Sequence, residues 1–200
     1  MGYSSHNAAD KLRRWEKYLR EYQLPDWEDI PNIGLYMEQV LSLLTEYLDY
    51  LPPELKGEQF ITAATVNNYV RNRFMPRPRN KRYYRTHIAY LIIICTLKQR
   101  LNIATIHRMI PIDIPEEQVK EIYTAYVAQH SAAAKYFIEQ VRVIAAPILG
   151  YDDVNPEIST DSASGLISIS AIMSCLSGLL AEKLLYLDDI YQPEDTDGQQ

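Results

Sequence analysis

The chain has 200 residues, 47% hydrophobic and 23% charged, with 26 acidic against 20 basic side chains and a net charge of −6. That composition supports one domain, or two small ones, with a sizeable core, and seven glycines exclude low-complexity sequence. The two cysteines, Cys95 and Cys175, both in apolar surroundings, exclude a disulfide scaffold and a cysteine zinc site and point to reduced, buried thiols in a cytoplasmic protein.

In chain order, Ala8 to Tyr22 predicts an amphipathic helix with Leu12, Trp15, Tyr18, Leu19 and Tyr22 on one face. The N-terminal stretch "MGYSSHNAADKLRRWEKYLREY" lacks the apolar core of a signal peptide. "LPDWEDIPNIG" reads as an ordered but irregular connection. Leu35 to Leu51 predicts a second helix, with Tyr36, Val40, Leu43, Leu44, Tyr47 and Leu48 as its apolar stripe and "LPPELKG" as its stop. Thr62 is an N-cap for a short helix from Ala63 to Arg73. Val66, Tyr69, Val70 and Phe74 face inward on it; Thr65, Asn67, Asn68, Arg71 and Asn72 face out. "MPRPRNKRYY" cannot be helix, because Pro76 and Pro78 forbid it, and Asn80 favours a turn. A short hairpin or wing fits there. Thr86 to Arg100 returns to helix, largely buried through Ile88, Leu91, Ile92, Cys95 and Leu97, and another short helix begins at Asn102.

After Pro115 comes the longest pattern, apolar at spacings of three and four, reaching to Pro147 and on the order of 45 Å long if unbroken. "GYDDVNPEISTD" is a connection. Ser162 to Leu187 predicts a last helix, and "QPEDTDGQQ" a disordered acidic tail. Ser162 to Ala181 carries no charge, yet six of its residues are Ser, Asp161 and Glu182 flank it, and no basic cluster marks an end. It reads as a buried bundle helix with two apolar faces rather than a membrane span.

Charge is segregated along this chain. No Asp or Glu lies between Glu58 and Asp113, while that interval holds ten of the 20 Lys and Arg. The remainder therefore has 10 basic and 26 acidic residues, a net of −16. A basic module inside an acidic body is the electrostatic footprint of a polyanion-binding surface. A capped helix with amides and arginines outward suits the DNA major groove, where Asn pairs with adenine and Arg with guanine. The basic loop after it can track phosphates. Thr65, Asn67, Asn68, Arg71, Arg73, Arg77, Arg79, Lys81, Arg82, Tyr83 and Arg85 are the candidate DNA-binding residues.

Helix, wing and buried helix resemble the DNA-binding region of MerR-type regulators. Tyr69, Arg71 and "FMPRP" match the end of their recognition helix, and Tyr83, Ile88 and Leu91 the close of their wing. More closely, "FITAATVNNYVRNRFMPRPRNKRYYRTHIAYLIIICTLKQRLNIATI" resembles a family of Gram-positive bacterial proteins filed as a domain of unknown function, including YkrK-like repressors. The likeness runs from about residue 30 to 145. It implies an all-α protein with a MerR-like winged helix-turn-helix, a short β wing and a C-terminal helical bundle. The expected division is an N-terminal helical extension over 1–29, the winged module over 30–112, a dimerisation and sensing region over 113–190, and the tail over 191–200.

The four histidines form no ligand set, no nucleophile triad or phosphate-cradling loop is present, and the Asp pairs lie in connections. The chain is therefore expected to be no enzyme and to hold no metal or cofactor. The segregated charge and the apolar C-terminal helices predict a homodimer that binds double-stranded DNA outside the membrane, with an unidentified small-molecule effector, and the family resemblance implies a repressor. The competing reading is a helical protein–protein adaptor whose basic face docks an acidic partner. A third, a membrane-associated protein, would use the Ser162 helix.

Overall fold

The computed structural model describes residues 20–48, 61–99 and 101–150, together with Ala9, Arg13, Glu16, Lys17, Met173 and Ser174. The helix expected over most of Ala8 to Tyr22, the Ser162 to Leu187 helix, Cys175 and the acidic tail lie outside these residues, apart from the few named. The described fold is all-α. A 3-10 turn, Trp27–Asp29, leads to α1 (Met37–Tyr47), α2 (Ala63–Arg71), α3 (Arg85–Leu97), α4 (Ile103–Met109), α5 (Glu116–Ile144) and the single turn α6 (Ala146–Leu149). Among the described residues no strand forms; the expected β wing is reduced to two isolated antiparallel bridges, Leu35 to Tyr83 and Arg79 to Arg82.

The helix ends follow from local chemistry. The Thr62 hydroxyl accepts from the Thr65 amide at 3.1 Å, and Asn102 Oδ1 from the Thr105 amide at 2.8 Å, so both short helices begin on side-chain caps. At α1, Gln39 reaches back to the Tyr36 amide at 2.9 Å. Glu116 and Glu117 open α5 and Arg142 lies in its last turn, the arrangement its macrodipole favours. Pro147 falls in the first turn of α6, and Gly150, at φ 72°, ends it.

Helix α3 is the centre. Every residue from His87 to Cys95 is buried, so the helix is enclosed on all sides. It packs against α1, α4 and α5. The Cys95 thiol is free, and burial raises its pKa to about 12, which keeps it protonated and inert.

The irregular stretch before α1 is held by side chains from elsewhere. The Trp27 and Tyr123 rings meet at a tilt with centroids 6.0 Å apart, and the Tyr123 hydroxyl donates to the Pro25 carbonyl at 2.8 Å. Tyr47 donates to the Asp29 carbonyl at 3.2 Å, and Tyr22 to the Tyr47 carbonyl. Tyr90 does the same for Pro111 at 2.6 Å, at the connection before α5. These four tyrosines serve one purpose: an apolar ring packed on the core with a hydroxyl that satisfies a backbone carbonyl.

Arg85 fixes this stretch most firmly. Its Nε donates to the Ile30 carbonyl at 2.8 Å, and its Nη atoms donate to the Glu28 carboxylate at 3.0 Å and the Glu28 carbonyl at 3.3 Å. Lys120 of α5 holds the other carboxylate oxygen at 2.9 Å. The Lys120 hydrogen bond is the main reason the Glu28 pKa lies below its ordinary value. Arg85→Ala removes three donors and leaves a buried carbonyl bare, so it should lower stability by about 1–3 kcal/mol in urea unfolding. Arg85→Lys should recover little of that loss, since an ammonium cannot reproduce the planar fork.

Candidate nucleic-acid interface

The outer face of α2 is an ordered polar row. Asn67, Arg71 and Asn72 are exposed, and Thr65 and Asn68 half-buried. Asn68 Oδ1 accepts from Arg71 Nη2 and from Asn72 Nδ2, both at 2.8 Å. The Thr65 hydroxyl shares a hydrogen bond with that of Thr62 at 2.9 Å. The opposite face, with Val66 and Tyr69, is buried as expected.

Helix α2 ends two residues earlier than the sequence suggests, in a Schellman arrangement. The Phe74 amide donates to the Tyr69 carbonyl at 2.8 Å and the Arg73 amide to the Val70 carbonyl at 3.2 Å. The Phe74 and Tyr69 rings meet edge-on at 6.5 Å. The motif requires a left-handed residue, and Arg73 takes that position at φ 57°. Met75 then plunges into the core, and the chain runs through the two prolines to the turn.

The turn is tight. Arg79 and Arg82 exchange backbone hydrogen bonds at 3.0 and 2.9 Å, while Asn80 and Lys81 lie at φ 49° and 60°. Two successive left-handed residues define a type I′ turn, for which Asn-Gly is the unstrained pair. Lysine stands where glycine would relax the backbone.

His87 ties the loop to the core. Its Nδ1 accepts from the Tyr84 amide and its Nε2 donates to the Arg77 carbonyl, each at 3.0 Å, so the neutral ring is held as one tautomer. Burial lowers its pKa, opposed by the two backbone bonds and assisted by nearby Arg79. The one ring is both buried in the core and a cap on α3.

The structure divides the candidate residues. Arg71, Arg73, Arg77, Arg79 and Lys81 are exposed, and none forms an ion pair among the described residues. Arg82 and Arg85 are engaged inside the chain. Arg82 donates to the Gly34 carbonyl at 3.1 Å and the Tyr36 hydroxyl at 2.7 Å, its guanidinium 4.3 Å from the centre of the Tyr36 ring. Tyr83 is buried, with its backbone bridged to Leu35. Tyr36, read from the sequence as part of an apolar stripe, is instead the exposed N-cap of α1 beside exposed Ile33. The stripe pattern hid it, because a residue one step before a helix shares the helical spacing without sharing the buried face.

Behind the turn, a cleft of about 580 Å³ opens between residues 73–79 and 112–119. Among the described residues no cluster of His, Cys, Asp or Glu could hold a metal ion, and no helix is long and apolar enough to cross a membrane.

Residues 25–128 match the family described as a domain of unknown function, DUF1836, and the chain belongs to that family. The match spans the 3-10 turn through the first part of α5, and so includes the polar row, the turn and α3. No curated protein and no solved structure matches the chain.

The histidine gives a pH dependence. Its folded pKa lies below 6.5, so the unfolded chain takes the proton first. The stability it contributes is complete above 6.5 and is lost as pH falls from there through the folded value. His87→Gln keeps an N3 side chain able to cap the helix and cannot titrate. Urea unfolding from neutral to mildly acid pH should show wild type losing more stability than this variant; parallel curves would place the titration elsewhere.

Proposed function

We propose that this member of the DUF1836 family is a sequence-specific DNA-binding transcription regulator, a homodimeric repressor that reads duplex DNA through a MerR-like winged helix-turn-helix. In this reading α1 supports, α2 enters the major groove, and the turn at Arg79–Arg82 is the wing. Asn67 and the Asn68–Arg71 pair contact base edges, and Arg73, Arg77, Arg79 and Lys81 contact phosphates. The repressor role follows from the family likeness alone. The dimer follows from geometry, since one short helix reads few bases and two copies read an inverted repeat.

The observation that supports this reading best is the cost accepted to keep charge on the loop. Arg73 and Lys81 both occupy left-handed positions that favour glycine. Strain of this kind persists where the side chain has a use. Here the side chains are exposed cations that form no ion pair among the described residues, in an interval without a single Asp or Glu.

Lys81→Gly separates the two roles. Relief of a left-handed side chain is worth about 1–2 kcal/mol and the added chain entropy costs about 0.5–1, so thermal unfolding should show a net gain near 0.5–1 kcal/mol. Affinity for duplex DNA should fall for all sequences alike, with the slope of log affinity against log salt reduced by about one. A gain in stability with DNA binding unchanged would assign Lys81 no phosphate.

Selection from random duplex DNA should return a palindromic site. On that site Asn67→Ala should cost about 1–3 kcal/mol, and far less on random DNA. Failure to bind any duplex pool, with capture of an acidic protein instead, would favour an adaptor that docks its basic face on that partner.

A further inference from the structure

The cleft behind the turn carries charges of both signs that do not meet. Arg73, Arg77 and Arg79 line it together with Asp113 and Glu116, and Met75 and Ile114 add apolar surface. None of these five charged groups is in an ion pair among the described residues. Opposite charges on flexible walls would close on each other, but both walls here are pinned. His87 holds the Arg77 carbonyl at 3.0 Å. Tyr90 holds the Pro111 carbonyl at 2.6 Å, and Asp113 is set at φ 61°. The volume, about 580 Å³, is that of a small-molecule site.

We propose that this cleft binds a small elongated zwitterion, with its anionic group on Arg77 and Arg79, its ammonium between Asp113 and Glu116, and its methylenes on Met75 and Ile114. A purely anionic molecule would meet the carboxylates, and a purely cationic one the guanidinium groups. The site stands on its own geometry. Its regulatory consequence rests on the DNA-binding reading: arginines engaged by the ligand are withdrawn from phosphate, so zwitterion and DNA compete.

Methyl NMR of the full chain, following Met75 and Ile114, tests the site directly with aminocaproate, caproate and hexylamine as probes. Aminocaproate should give saturable shifts with an affinity about tenfold or more above either single-ended probe, the value of one added charge contact. Asp113→Asn combined with Glu116→Gln should bring aminocaproate down to the level of caproate. Asparagine tolerates the left-handed backbone at that position, and undisturbed methyl signals elsewhere would report an intact fold. Equal affinity for caproate and aminocaproate, or no saturable shift with any probe, would overturn the proposal. Zwitterion binding without DNA binding would keep the site and remove its regulatory role; DNA binding without zwitterion binding would overturn the site and its regulatory role and leave the DNA-binding reading standing.

Discussion

The burial of α3 on every side is the constraint from which the rest follows. A helix that is apolar around its whole circumference cannot lie on a surface, so other elements must enclose it. Helices α1, α4 and α5 do so, and the stretch before α1 closes what they leave open. Enclosure also fixes where the chain enters the helix. Its entrance is Tyr84, and the ring of His87, one turn in, bonds both the Tyr84 amide and the Arg77 carbonyl. The loop that carries the free cations is thereby anchored to the least movable part of the molecule. A charged loop on a rigid anchor presents its charges at fixed places, which is what a recognition surface requires.

The arginines divide their work by what lies within reach. Arg82 and Arg85 leave the turn and the start of α3 toward residues 28–36, an irregular stretch rich in carbonyls without helical partners. Each guanidinium answers such a carbonyl and lies against an aromatic ring, Tyr36 for Arg82 and Trp27 for Arg85. Lysine could not replace the fork in either place. The cations on the far side of the turn meet no such acceptors among the described residues. The same residue type therefore serves as internal strut and as outward charge within a dozen positions.

How much of this was legible in the sequence depended on the range of the interaction. The cap at Thr62, the helix start at Asn102 and the turn at Asn80 involve neighbours only, so residue type and spacing sufficed. The inward set of α2 and the long α5 followed from periodicity. The inward course of Arg82 and Arg85 could not be read, because their partners Gly34, Tyr36, Glu28 and Ile30 lie about fifty residues away and the chain must fold before they meet. For the same reason a run of basic residues overstated the exposed charge. The end of α2 was placed late because the usual stop signal, glycine, is absent and an arginine takes the left-handed position.

That absence bears on how the loop is held. Glycine is scarce in this chain, and it appears at Gly34, where an added Cβ would come within 2.8 Å of the Arg82 side chain. There the backbone must let a guanidinium pass, so the small residue is required by contact. At Arg73, Asn80 and Lys81 it is backbone conformation that asks for glycine, and the chain supplies two cations and an amide instead. Each departure costs on the order of 1 kcal/mol. The buried Met75, the Phe74–Tyr69 contact and the His87 bond to Arg77 offset that cost by holding the loop on both sides of its strained residues. The loop is thus stabilised from the core while its outward cations form no ion pair among the described residues, an allocation that core packing alone does not explain.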